Sequence, residues 1–120
     1  MTATKIKKGD LVRLVEDFRK GYDVGMYQLF SKPCIERHIT PEEVQEWRRS
    51  PESKGLDCAG EPKLPPMVVD LEYDVYDTFT VVRARCAPKL GYYKKPKRAQ
   101  VMNNRTCEIG YIERKYIEKV

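Results

Sequence analysis

Apolar and polar residues alternate at both ends of the chain in a way that predicts β-strands. Residues 10–17 contain four aliphatic side chains among polar ones and are expected to form the first strand. Residues 110–120 predict a strand, one tight turn at Glu113–Lys115 and a short closing strand that ends in apolar residues. We expect the closing strand to pair with the opening strand, which brings the two ends of the chain together.

The clearest alternation lies in residues 68–75. Its apolar positions are Val69, Leu71, Tyr73 and Val75, and its acidic positions are Asp70, Glu72 and Asp74. Because successive side chains of a strand point to opposite faces, this pattern predicts a strand with one buried face and one acidic, solvated face.

Two further segments predict β-structure in the second half of the chain. Residues 78–84 predict a strand, in which the inward pair is either Phe79 with Val81 or Thr80 with Val82. Residues 98–102 and 106–112 predict a hairpin about Asn103 and Asn104, because asparagine tolerates the positive φ that tight turns need.

One helix is predicted in the first half of the chain. Thr40 is placed to cap it, Pro41 takes the first helical position and Glu43 completes a capping box. The helix is expected to carry Trp47, packed on the rest of the domain, and to stop before Pro51. The apolar segment 26–30 fits a helix or a strand, and the proline- and glycine-rich residues 50–67 predict a connector.

The closing segment resembles the end of SH3-like small barrels. The matching positions are Gly110, Ile112, Tyr116, Ile117 and Val120. The opening Gly9-Asp10-Leu11-Val12 also looks like the first strand of such barrels, so the resemblance covers residues 8–15 and about 78–120. It implies a mostly-β, SH3-like small barrel with an inserted short helix, and the strand patterns predict about five to six strands.

The resemblance also implies docking rather than catalysis. The aromatic groove by which peptide-binding SH3 domains hold proline-rich ligands has a counterpart here only in Tyr116, since Trp47 lies on the helix. Barrels of this style associate with nucleic acid or ribosomes, or serve as small accessory subunits that present basic surfaces to acidic electron carriers. We therefore expect one domain, residues 1–120, with a helix-containing insertion at about 31–67.

We expect this domain to be cytoplasmic. The chain has 120 residues, 41% hydrophobic and 34% charged, which is enough apolar content for one core. It contains no apolar run that predicts a membrane span or a signal peptide. The four cysteines are widely spaced and are expected to be reduced thiols.

Charge is segregated along the chain and predicts a binding surface. Residues 61–77 carry a net charge of −4, whereas residues 78–105 carry +8 with no acidic residue. The segment 89–98 interleaves two tyrosines with five cations, a composition suited to phosphates and unpaired bases. The candidate binding residues are Arg83, Arg85, Lys89, Tyr92, Tyr93, Lys94, Lys95, Lys97, Arg98 and Arg105.

The pattern leaves the partner open between nucleic acid and an acidic protein surface, because the same positive field attracts both. We predict a non-enzymatic binding or adaptor module; the alternative is an accessory subunit that docks on an acidic protein complex. Replacing Lys94, Lys95, Lys97 and Arg98 with glutamine is expected to abolish binding and leave the fold intact.

The sequence gives little support for a catalytic site or a metal site. Cys34, His38 and Cys58 are possible zinc ligands, but they lack the second closely spaced pair that zinc sites show. His38 has no nucleophile in a recognisable frame, and the acids of 70–74 fit a solvated strand face better than a carboxylate site. An uncharacterised enzyme or metal-binding protein is therefore the third hypothesis for the function. We predict no catalytic residue, metal or cofactor.

Overall fold

A computed structural model describes residues 5–23, 32–90, 93–95 and 97–120, with the side chains of 20–23 and 93 left out. The apolar segment 26–30 therefore lies outside the described residues. The strands are β1 Leu11–Leu14, β2 Glu36–His38, β3 Val68–Asp70, β4 Thr78–Cys86, β5 Lys89–Leu90, β6 Tyr93–Lys94, β7 Arg98–Asn103, β8 Ile109–Glu113 and β9 Ile117–Lys119. The helices are α1 Glu16–Asp23 and α2 Pro41–Arg49, with 3₁₀ turns at Pro51–Ser53 and Arg114–Tyr116.

Seven strands form one antiparallel sheet in the order β3-β2-β8-β7-β4-β1-β9, and β5 pairs with β6 separately. The prediction of a mostly-β domain is confirmed. The expected closed barrel is not formed, because β3 and β9 lie at opposite edges of the sheet. The physical reason is that β2 and β3, which flank the α2 insertion, pair outward from β8 and extend the sheet instead of closing it.

The two ends of the chain pair as predicted. Strand β1 runs antiparallel to β9, with Val12 opposite Lys119 and Leu14 opposite Ile117. The tight turn before β9 is a single 3₁₀ turn, one residue later than the sequence suggested. This pairing brings strands from opposite ends of the sequence side by side in the main sheet.

The core lies on one face of the sheet. Val12, Leu14, Phe79, Val81 and Ile112 are at most 1% exposed and pack there. Of the two alternatives for β4, Phe79 and Val81 are therefore the inward pair. The pairing of β4 with β7 then shifts twice, between Val81 and Cys86, so that Arg83 and Arg85 are turned to solvent.

The acidic strand is shorter than its alternation suggested. Strand β3 covers Val68–Asp70, and its backbone pairing continues as far as Leu71, whose amide donates to the Ile35 carbonyl at 2.8 Å; the alternation of burial continues to Val75. Tyr73 and Val75 reach the core from extended chain that has left the sheet. Alternation therefore reports which side chains are buried, and it does not report how far the strand pairs.

Helix α1 departs from the prediction of one strand over residues 10–17. The strand ends at Leu14, and the helix begins at Glu16 with two acidic residues in its first turn. Phe18 packs against the core, with its ring edge-on to Tyr116 at 5.2 Å between centroids. A glycine at position 21 hid this helix, because glycine is a poor helix former.

Helix α2 is confirmed with its caps. The Thr40 hydroxyl accepts from the Glu43 amide, and the Glu43 carboxylate accepts from the Thr40 amide. Trp47 is half-buried and is not in the core. It lines an open groove with connector residues such as Asp57 and Leu64, so the prediction that it packs on the barrel is wrong.

No helix of the described residues is long and apolar enough to cross a bilayer.

The β7–β8 hairpin is confirmed, but its turn works differently from the prediction. The residue with positive φ is Cys107, at 64°, and not an asparagine. Asn103 is 4% exposed, and its side-chain oxygen accepts from the amides of Arg105 and Thr106. Asparagine is needed here for the hydrogen bonds of its side chain and not for its backbone conformation.

Candidate functional site

The described residues of the basic segment 89–98 contact the sheet on the face opposite the core, through Lys89 and Lys95. Its two short strands, β5 and β6, place Leu90 at 3% exposure, outside the main core cluster. The His38 ring nitrogen Nε2 lies 2.6 Å from the carbonyl oxygen of Lys89. Because a carbonyl oxygen only accepts, Nε2 is the donor, and this contact ties β5 to β2.

A buried carboxylate holds two of the predicted binding cations. Glu36 is 7% exposed, and its Oε1 lies 3.1 Å from Lys95 Nζ and 4.0 Å from Arg98 Nη2. Strand pairing places Glu36 directly opposite Tyr111, which fixes it on the face of the sheet away from the core. Lys95 and Arg98 therefore neutralise a buried charge and have a structural role.

This contact corrects the expectation that the four-fold glutamine variant leaves the fold intact. Two of its four substitutions, at Lys95 and Arg98, remove the partners of Glu36. A buried carboxylate without a partner is costly because it has lost its hydration. A variant that tests binding must instead use cations that the fold does not need.

Five of the predicted binding cations are such residues. They are exposed, and their side chains form no ion pair or hydrogen bond within the described parts of the chain. These free cations are Arg83, Arg85, Lys89, Lys94 and Lys97. The structure thus divides the predicted binding cations into a paired set and an exposed, free set.

Lys89 and Lys94 are direct cross-strand partners in the β5–β6 pair. Residues so placed have Cβ atoms about 5 Å apart, and like charges at this spacing repel. Neither residue has an acidic partner among the residues that the structure describes. An anion placed between the two ammonium groups would relieve this repulsion.

Arg105 is not grouped with these cations. Its guanidinium forms a two-point ion pair with Asp77, at 3.0 Å from Nε to Oδ1 and 2.9 Å from Nη2 to Oδ2. The hydrogen bond from Arg105 holds the pKa of Asp77 at about 2. Arg105 follows the end of β7 at Asn103, whereas the basic segment adjoins the start of β7 at Arg98, so the two lie at opposite ends of that strand.

The side chains of Tyr92 and Tyr93, the two tyrosines expected to stack on bases, lie outside the part of the chain that the structure describes. Tyr92 is not among the described residues, and only the backbone of Tyr93 is, in β6. A different aromatic residue, Tyr111, is half-buried on the same face of the sheet as Glu36. Its ring stands edge-on to His38, 5.9 Å between centroids. Sequence reasoning missed Tyr111 because its neighbours come from strands distant in sequence.

The residues considered for metal or acid–base chemistry do not come together. Cys34 and Cys58 are exposed, and among the described residues no three potential ligands form a group. Asp70, Glu72 and Asp74 are exposed, as a solvated strand face requires. Burial raises the pKa of the Cys86 thiol, which favours its neutral form.

Comparison of the chain with protein-family models, curated proteins and solved structures finds no match. The geometry and charge of this chain are therefore the only indications of its function.

Proposed function

We propose that this protein is a nucleic-acid-binding module that works without catalysis, through the five free cations. The observation that carries the proposal is the opposed, unpaired pair Lys89 and Lys94. Lys97 is exposed three residues beyond Lys94, and Arg83 and Arg85 extend the basic character along β4. A run of separated, unpaired cations suits the phosphates of a nucleic-acid backbone, since each contact releases a condensed counterion.

The arrangement of the basic residues supports a phosphate chain over a single small anion. Four of the free cations lie on β4 and on the β5–β6 pair, which follow one another in sequence, and Lys97 lies between β6 and β7. Spaced positive charges match a ligand that carries one negative charge per repeat. The resemblance of the sequence to SH3-like barrels, some of which bind nucleic acid, also supports the proposal.

The proposal is tested by fluorescence-anisotropy titration of labelled single-stranded and duplex oligonucleotides at about 50 mM salt. The test variant changes Lys89, Lys94 and Lys97 to glutamine. We expect its affinity to fall roughly 100-fold at this salt concentration, because three phosphate contacts are lost. The fold should be retained, because these side chains have no partners in the described structure.

A matched control removes the same amount of charge elsewhere. Arg49, Lys54 and Lys63 are exposed residues of the insertion, away from the basic segment. Their replacement by glutamine should change affinity by less than about threefold, since only the long-range field is reduced. Equal losses in the two variants would show that net charge alone drives binding. If the protein binds neither oligonucleotide but captures an acidic protein, the accessory-subunit hypothesis replaces the proposal.

A further inference from the structure

The face of the sheet opposite the core carries an uncovered apolar row. Strand register places Leu11 opposite Thr80, Thr80 opposite Met102, and Met102 opposite Ile109. Val120 extends the row beyond Leu11, because its amide donates to the Leu11 carbonyl at 3.1 Å. Leu11 is 46%, Ile109 42% and Val120 61% exposed, and no charged side chain interrupts the row.

A second row runs beside the first on the same face. Register places Tyr111 opposite Gln100, and Gln100 opposite Arg83. The Gln100 amide and the Tyr111 hydroxyl form no hydrogen bond with any described residue. The face therefore presents an aromatic ring, an amide with free donor and acceptor, and a free guanidinium next to an apolar strip.

The basic segment borders this face at its β2 end. His38 contacts both sides of the boundary: its ring is edge-on to Tyr111, and its Nε2 donates to the carbonyl of Lys89. Free cations thus lie at two borders of the face, with Lys89 and Lys94 at one and Arg83 at the other. Positive charge at the rim with an aromatic and apolar floor is the arrangement that holds unpaired bases and their phosphates.

We propose, on the basis of the function above, that the ligand is a single strand of RNA or DNA that crosses this face. Its bases contact Tyr111, Met102 and Ile109, and its phosphates contact Arg83, Lys89 and Lys94. Gln100 is placed to hydrogen-bond a base edge, because an amide offers both a donor and an acceptor. A duplex keeps its bases stacked on one another, so their faces cannot reach the sheet.

The dimensions of the row argue against a second copy of the chain as its occupant. From β9 to β2 the face crosses five strand spacings, about 24 Å, and one row is about 7 Å wide. Even two such rows, with an area of about 340 Å², are well below the roughly 800 Å² per partner of a stable interface. A two-fold contact would also press the free cations of one copy against those of the other.

The test compares single-stranded and duplex oligonucleotides of 12 residues with Tyr111→Leu and Tyr111→Phe. Loss of one stacked base weakens binding about 5- to 150-fold, so we expect Tyr111→Leu to lose single-strand affinity within that range. Tyr111→Phe should retain most of it, and duplex affinity should be unchanged in both variants. A merely structural role for Tyr111 would lower the affinities for single strand and duplex together.

A matched pair of apolar substitutions separates this face from the rest of the surface. Ile109→Thr lies in the row, whereas Leu64→Thr changes a more exposed residue of the connector, at 69%. Only Ile109→Thr should weaken single-strand binding. Wild-type single-strand affinity in Tyr111→Leu would overturn this inference and leave the proposed function standing. No binding of the unmodified protein to either oligonucleotide would overturn both, and a dimer that Ile109→Thr dissociates would assign the row to a second copy.

Discussion

At the scale of the residue, Asn103 shows how one buried side chain organises a turn. Its Nδ2 donates to Asp77 Oδ2 at 2.9 Å, and its oxygen accepts from two amides of the turn that follows. Asn103→Ala removes all three bonds and should lower the free energy of unfolding by roughly 1–3 kcal/mol, because buried polar groups lose their partners. Urea denaturation measures the loss. The exposed neighbour Asn104, changed to Ala, should cost less, and an equal cost would contradict this account of the turn.

Asp77 gives the protein a defined dependence on acid. Its pKa is about 2, below its ordinary value of 3.8, chiefly because Arg105 donates to the ionised carboxylate. A lowered pKa stabilises the folded state above about pH 4, and that contribution is lost as the pH falls toward about 2. Arg105→Met should therefore lower stability at pH 7 but hardly at pH 2, as measured by urea unfolding across this range.

The control for that prediction is Arg85→Met, which removes an exposed cation without an ion-pair partner in the described chain. It should leave the acid dependence unchanged. A difference between Arg105→Met and the wild type that persists at pH 2 would show that Arg105 acts through packing and not through the ionised Asp77.

At the scale of the element, Gly110 explains how β2 and the chain near β3 approach β8. A Cβ at this position would lie 2.7 Å from Ile35 Cγ2 and 2.8 Å from Leu71 Cδ1. Gly110→Ala should cost roughly 1–3 kcal/mol of stability, because a packed site must shift to admit a methyl group. The cost, measured by thermal or urea unfolding, should shrink when Leu71→Ala is combined with it. A stability within about 0.5 kcal/mol of the wild type would contradict the close approach.

The basic segment contains its own matched pair of lysines. Lys95 is tied to the buried Glu36, whereas Lys94 has no partner among the described residues. Lys95→Gln should cost about 1–2 kcal/mol, less than a fully buried pair because Lys95 is 35% exposed. It should also speed hydrogen exchange of the Lys95 amide, which donates to the Pro88 carbonyl. Lys94→Gln should change neither quantity, and equal effects would refute the division into paired and free cations.

These elements show which parts of the fold the sequence can predict. Helix α2 was predictable because Thr40, Pro41 and Glu43 are close in sequence and make its cap. The pairing of β1 with β9 followed from strand patterns at the two ends. Sheet closure and the contacts of Lys95 were not predictable, since both depend on which strand lies beside which.

At the scale of the whole molecule, folding divides the cations of a basic stretch of sequence into paired and free residues. Of the eight cations between positions 78 and 105, Lys95, Arg98 and Arg105 neutralise carboxylates and five remain free. Arg83 and Arg85 on β4 lie four strands from the edge strand β3, whereas Lys89 and Lys94 lie beside β2, the neighbour of β3. The free positive charge therefore lies in two places, at β4 and at the β5–β6 pair.

The site could be predicted from the sequence only in outline. The charge run located the basic segment, but the register of an open sheet decides that Tyr111, Gln100 and Arg83 share one row. The two shifts in β4 were also invisible, and they turn Arg83 and Arg85 outward. Such features arise from pairing between strands distant in sequence, so no local pattern records them.

The central claim, that the free cations bind phosphates, is tested most directly by the salt dependence of single-strand binding. The slope of log K against log salt concentration should be about −3.5 if all five free cations contact phosphates. The variant with Lys89, Lys94 and Lys97 changed to glutamine should lose about 2 units of that slope, and the variant with Arg49, Lys54 and Lys63 changed should lose almost none. Equal slopes in the wild type and the first variant would contradict the claim.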